Sequence, residues 1–297
     1  MNNASNTIAD QISQLPCDEF LASYRTLRLT TLDEHKREIK HASGFVLEVD
    51  GTLYLHTCWH VVTGLELPDA EVGRNFVQPR FLRVTGVGVD TEAGANTGDL
   101  LVGGPATFRI GGYESFELDL FQEDRPVWEQ QADEHCANED LNRANIYVPT
   151  YLDVVRIPIE LSHAIKALWS IRYDQTDIGH RAGSLPDVVV TGYPFGFSPN
   201  EHNATSIFLK RRIASLNSRH PVDTYLDSGC SPAMSGGPVW TMDYRFLGIY
   251  RGIIFPDYEA GLQSSNDRHS ALGLISEFWC LFNEHDLPKE ARRMKRW

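Results

Sequence analysis

At 297 residues, 42% of them hydrophobic, the chain holds enough apolar material for one large β domain or two smaller lobes with real cores. Its 27 basic and 40 acidic side chains give a formal net charge of −13, which disfavours a nucleic-acid partner because phosphate binding needs clustered Lys and Arg. No stretch approaches the roughly 18 apolar residues that cross a membrane, and the N-terminus lacks the basic and apolar regions of a secretory signal, so a soluble, cytoplasmic protein with no membrane partner is expected.

Along the chain, "EFLASY" near the start reads as a short helical segment. There follow roughly a dozen short runs rich in β-branched and aromatic residues and bounded by Gly, Pro, Asp and Asn. They include "YRTLRLTTL", "GFVLEV", "LYLHT", "RFLRVTGVGV", "FELDLF", "LDVVRIPI", "DVVVTGY", "SIFLKRRIASL", "PVWTM" and "RFLGIYRGIIF". Short loops rather than regular crossover helices join them, which predicts a mainly antiparallel, all-β architecture. Asp50-Gly51 between two apolar runs predicts a hairpin. Residues 122–146 are acidic, polar and aperiodic, the pattern of a long surface loop. The basic run Lys210 to Arg212 is short and reads as a solvated strand end. Near the end, Ile275, Phe278, Trp279, Leu281 and Phe282 fall on helical spacing, predicting a helix docked on the β structure.

The five cysteines, Cys17, Cys58, Cys136, Cys230 and Cys280, are odd in number and widely spaced, without a C-x-x-C pair, so reduced thiols are expected. Cys230 reads as a buried small hydrophobe. His56 and His60 stand four apart, but on a strand-like run without the glutamate of H-E-x-x-H, so no metal is expected.

Three stretches carry groups suited to nucleophilic catalysis. In "TCWHVV", His60 falls where an apolar strand ends in a small turn, a place that presents an imidazole at a cleft. In "LDVV", Asp153 opens an apolar strand, where a partly buried carboxylate needs a partner such as an imidazole N–H; a turn-capping role is the alternative. In "SPAMSGGPVW", Ser235 precedes two glycines and a proline. Asp187, which opens "DVVV", rivals Asp153 as the acid.

Together these stretches resemble the trypsin-like, chymotrypsin-fold serine peptidases, in which a T-A-x-H-V turn carries the base, a D-V or D-I strand opening the acid, and G-x-S-G-G-P the nucleophile. The order His60, Asp153, Ser235 distinguishes that fold from the other common triad folds, which thread Ser-Asp-His or Asp-His-Ser. "DVVVTGYPFG" and "FLGIYRG" resemble the strands before and after the nucleophile in bacterial and stress-related members.

The resemblance implies two antiparallel six-stranded β-barrels. These would be an N-terminal extension at 1–21, a first barrel at 22–160 with an insertion at about 76–145, and a second barrel at 161–297 ending in the helix. It further implies an oxyanion hole from the backbone N–H groups of Ala233 and Ser235, and substrate contacts at Asp227, Gly229, Tyr250, Arg251 and Gly252. The implied activity is serine endopeptidase hydrolysis of a protein or peptide, without cofactor. A protease-fold binding module without activity and an esterase using the same triad are the alternatives.

Three departures bear on that implication. Ala233 stands where the family has Gly, and a methyl at φ > 0 costs roughly 1 to 2 kcal/mol. Met234 stands where members activated by precursor cleavage carry an Asp, so no such cleavage is expected. The 93 residues from His60 to Asp153 are roughly twice the separation in the template, which makes the 76–145 insertion either a lid, partner surface or regulatory element, or a solvated excursion with no role.

Overall fold

The computed structural model describes residues 10, 12, 19–65, 76–90, 109–132, 151–172, 185–199, 204–216, 223–254 and 272–277. The first half begins with helix α1 (Glu19–Tyr24) and strands β1 (Leu27–Leu32), β2 (Glu38–Val49) and β3 (Thr52–Thr57). A one-turn helix α2 (Trp59–Thr63) follows, then β4 (Phe81–Asp90), β5 (Arg109–Asp119), β6 (Phe121–Gln122), β7 (Arg125–Pro126), β8 (Glu129–Ala132) and β9 (Tyr151–Ile159). Helix α3 (His163–Trp169) and β10 (Ser170–Ile171) lead to the second half, formed by β11 (Asp187–Gly192), β12 (Ile207–Leu216), β13 (Asp223–Leu226), β14 (Pro238–Thr241), β15 (Phe246–Ile254) and β16 (Leu272–Glu277).

The second half closes into a six-stranded barrel in the order β11-β12-β13-β16-β15-β14. In the first half the expected six-stranded barrel is replaced, among the described residues, by an eight-stranded sheet. Its path is β5-β4-β1-β2-β3-β9-β8, with β10 paired to β2. The insertion explains part of this difference. Strands β4 and β5 lie within it and pair over nearly their full length, so these two strands and β8 extend the sheet, while β6 and β7 pair with each other as a separate two-stranded ribbon. Of the polar run at 122–146, residues 122–132 contribute β7 and β8, and the rest lies outside the described residues.

Local chemistry accounts for the turns and ends. Asp50 and Gly51 both take positive φ, 48° and 82°, as the hairpin joining β2 to β3 requires. Helix α1 buries Leu21 and Ala22, so it already belongs to the body of the protein and the boundary drawn at residue 22 falls inside it. Strand β10 pairs with β2, which carries the first half on to residue 171. The helix expected from Ile275 onward is a correction: Ile275 and Ser276 belong to β16, held between β13 and β15. Phe278, Trp279, Leu281 and Phe282 lie outside the described residues.

Strand alternation divides the second half between two cores. Val188, Val190, Val239 and Tyr250 point into the barrel with Ile213, Leu226 and Ile275. Their neighbours Val189, Trp240 and Ile249, with Phe246, instead join the core of the first half. Phe45 and Phe246 meet there with ring centroids 4.9 Å apart. Thr26 and Thr191 hydroxyls, 2.7 Å apart, and the Tyr193 hydroxyl, which donates to Thr26 O at 3.1 Å, add polar links between the halves. No helix among the described residues is long and apolar enough to cross a membrane.

Candidate active site

Strand β3 delivers His60. It ends at Thr57, Cys58 is extended, and α2 makes a single turn closed by Gly64 at φ 74°. Strand β9 pairs with β3 up to Thr57 and Val155, and two residues further along β9 lies Asp153, which therefore reaches the turn carrying His60. The carboxylate of Asp153 grips that turn twice. Its Oδ1 accepts from the His60 backbone N–H at 3.0 Å, and its Oδ2 lies 2.8 Å from His60 Nδ1. An acceptor at Nδ1 places the ring proton there and leaves Nε2 as a proton acceptor. Both side chains remain about a quarter exposed, at 26% and 27%. Asp187 has other partners: Lys210 at 2.7 Å and Arg212 at 2.9 Å hold its carboxyl below the usual carboxylate range. His60 is thus brought together with Asp153 and not with Asp187.

The turn bearing Ser235 explains its two glycines. Gly236 has φ 87°, and a Cβ there would lie 2.1 Å from Ser43 O and 2.4 Å from Thr57 Oγ1. A Cβ on Gly237 would lie 2.2 Å from Thr191 O. Only residues without a side chain allow the turn to seat against both halves. Ser43 N donates to Ser235 O at 2.9 Å, and Thr57 Oγ1 donates to Ser43 O at 2.9 Å, so the strand end before His60 and the Ser235 turn share one anchor in β2. Among the described residues, Ser235 Oγ makes no hydrogen bond, to His60 or to any other group.

Within the turn, Met234 N donates to Ser231 O, Gly236 N to Tyr250 O and Gly237 N to Met234 O. The N–H groups of Ala233 and Ser235 have no acceptor among the described residues. These two are the donors expected to form an oxyanion hole. Ala233 takes the positive φ that the family's glycine would supply, 68°. Its carbonyl accepts from Ser43 Oγ at 2.9 Å, and Ser43 Oγ in turn accepts from Tyr193 N at 3.0 Å. Met234 is fully buried in the barrel core and supports the turn by packing.

The expected substrate contacts divide. Gly252 is beside the serine: a Cβ there would lie 3.8 Å from Ser235 Oγ. Tyr250 is buried, with O bonded to Gly236 N and Oη bonded to Cys230 N at 2.8 Å. Gly229 O accepts from Arg211 Nη2 at 3.1 Å. Asp227 is exposed, and its Oδ1 accepts from Arg212 N at 3.2 Å. Arg251 Nη1 donates to Ser276 Oγ at 3.3 Å. Ser43 and Cys58 were not singled out as site residues from the sequence. Nothing local marks Ser43, a serine in an apolar strand whose partners lie 150 and 190 residues away. Cys58 sits fully buried behind the pair, its thiol 3.6 Å from Tyr250 O and 3.7 Å from Arg251 O. Burial, and then the charge of Asp153, push that thiol well above its usual range. The thiol, imidazole and carboxylate ligand atoms of Cys58, His60 and Asp153 lie within 4.8 Å of one another. A metal there would have to break the Asp153–His60 bond and deprotonate a thiol that its surroundings hold neutral. His56 is turned away, stacked on Phe45 in the first core.

No protein-family model matches the chain, and no curated protein matches it. Solved structures with a similar course include the active form of the Rv3671c protease from M. tuberculosis, at 15% identity and TM-score 0.43 over 89% of this chain and 81% of that one. The serine endoprotease from Yersinia pestis matches at 13% identity and TM-score 0.44, over 95% and 70% of the two chains. The HtrA-type protease AlgW with a tripeptide matches at 14% identity and TM-score 0.43, over 92% and 60%. Scores this low leave the site to be judged on its own residues.

Proposed function

We propose that the chain is a serine endopeptidase acting through His60, Asp153 and Ser235, with protein or peptide substrates. The observation that carries this reading is the double grip of Asp153 on His60, at 3.0 and 2.8 Å, combined with a serine turn in which the N–H groups of Ala233 and Ser235 have no acceptor among the described residues. In the first half-reaction Ser235 Oγ attacks the scissile carbonyl carbon while His60 Nε2 takes its proton. The oxyanion that forms accepts from the two free N–H groups, and Asp153 stabilises the imidazolium. The C–N bond then breaks as His60 returns the proton to the leaving amine, giving an acyl-enzyme. Water enters, loses a proton to His60 and displaces Ser235 by the reverse sequence. Neither metal nor cofactor takes part. The burial of Met234 in the barrel core supports activity without precursor cleavage.

Digestion of a proteome-derived peptide library by the wild type and by Ser235→Ala tests this reading. Cleavage by the first and not by the second is expected. Turnover of small esters with no peptide cleavage would instead favour an acyl hydrolase. The second reading, a binding module that has lost activity, is favoured by one observation, the missing Ser235–His60 hydrogen bond; uncleaved peptides and unreactive Ser235 would support it.

A further inference from the structure

Two residues other than glycine stand in the left-handed region on either side of one hydrogen bond. Phe195, in the turn that follows β11, has φ 54° and ψ 22°, and Ala233 has φ 68°. Phe195 N donates to Pro232 O at 2.9 Å. Packing does not hold Phe195 in that conformation, because the residue is 71% exposed. Its turn is instead seated on β2 from both sides: Tyr193 N donates to Ser43 Oγ at 3.0 Å, and a Cβ on Gly196 would lie 2.5 Å from the His41 ring. A bulky side chain at positive φ is a strained outlier, and what the strain achieves here is an N–H aimed at the Pro232 carbonyl.

Pro232 O and the Ala233 N–H belong to one trans peptide unit, so they point in opposite directions. Holding the carbonyl from the Phe195 side therefore aims the Ala233 N–H away from Phe195, where it has no acceptor among the described residues. The competing arrangement turns that single unit over. Ala233 would leave φ 68° for the extended region that alanine prefers, and the Pro232 carbonyl would take the place of the N–H. A carbonyl there repels a developing oxyanion instead of stabilising it. Alanine at 233 favours the turned-over state as glycine would not, and the bond from Phe195 opposes it.

Resting on the hydrolase reading above, we propose that the Phe195 backbone N–H is a latch that keeps the Pro232–Ala233 peptide in its active orientation. Phe195 is then a positioning residue for the oxyanion hole, and it acts through its left-handed main chain and not through its ring.

Steady-state kinetics of Phe195→Val and Phe195→Asn, on a peptide that the wild type cleaves, test the proposal. Valine resists positive φ and asparagine accepts it, so the two variants lose the same ring and differ in the latch. Phe195→Val should lose about 10-fold or more in kcat with KM little changed, approaching the roughly 100-fold that a missing oxyanion donor costs. Phe195→Asn should stay within a few-fold of the wild type. Adding Ala233→Gly to Phe195→Val should restore most of the loss, since glycine removes the bias toward the turned-over peptide. Should Phe195→Val fail to fold, an ester oxygen in place of the Phe195 N–H, with the ring kept, takes its role and should show the same loss and the same rescue. Equal losses in both variants would assign the effect to the ring and overturn the latch. Unchanged kcat in folded Phe195→Val, or no rescue by Ala233→Gly, would also overturn it and leave the hydrolase reading standing. A wild type that cleaves no peptide and takes no fluorophosphonate on Ser235 would overturn both.

Discussion

Ser43, in the middle of β2, donates from its hydroxyl to the carbonyl of Ala233 at 2.9 Å, joining the first sheet to the turn that precedes the candidate nucleophile. The Ser43 hydroxyl oxygen accepts from Tyr193 N, and Ser43 N donates to Ser235 O. One small residue therefore holds the turn at two of its carbonyls, those of Ala233 and Ser235.

Ser43→Ala should loosen that turn. Two buried or half-buried backbone groups lose their partner, which costs about 1 to 3 kcal/mol of stability. Steady-state kinetics on the best cleaved peptide should show kcat falling about 10-fold or more with KM little changed, because the loss falls on oxyanion stabilisation. Unchanged kcat in a folded variant would remove Ser43 from the positioning role.

Ala233 is a left-handed residue with a methyl group. Ala233→Gly should relieve strain of about 1 kcal/mol, less the extra freedom glycine gives the unfolded chain, and so raise the midpoint of thermal unfolding modestly. Peptidase activity should persist. A drop in stability of more than 1 kcal/mol would mean that the methyl packs usefully.

Asp153→Asn keeps the shape of the side chain and removes its charge. The amide can no longer hold the imidazole in the tautomer with Nε2 free, and kcat should fall about 10,000-fold. Asp187→Asn should leave kcat within a few-fold, since Asp187 pairs with Lys210 and Arg212. The opposite ranking would exchange their roles.

Cys230 gives a pH prediction. Burial pushes its thiol up to about 11, against the opposing pull of Arg211. Unfolded chains release the thiol proton near pH 8.5, so between there and about pH 11 the unfolded state holds fewer protons and stability falls as pH rises. Thermal unfolding from pH 8 to 10.5 should show a steeper loss for the wild type than for Cys230→Ala, on the order of 2 kcal/mol at the top of the range. Parallel curves would refute a buried, neutral thiol.

Much of this architecture was legible in the chain because turns and alternation are local signals. Asp50-Gly51 marked the hairpin through the positive φ both residues adopt, and the strand ends that carry His60 and Asp153 followed from where apolar runs meet turns. The segment at Ile275 misled for a physical reason. Strand β16 is paired on both sides and buries Leu274 and Ile275 alike, so its sequence lacks the alternation that separates strand from helix. The extra strands of the first sheet depend on pairings such as β4 with β1, which composition does not encode. Ser43 was invisible because its meaning lies entirely in partners from the other half of the chain.

The most direct test of the central claim is labelling of the folded protein with a fluorophosphonate, followed by identification of the modified residue. The account predicts a single adduct on Ser235, lost in His60→Ala and abolished by prior unfolding. Folded protein that takes up no label at Ser235, while Ser235 is intact and α2 and β9 hold His60 and Asp153 as described, would contradict it.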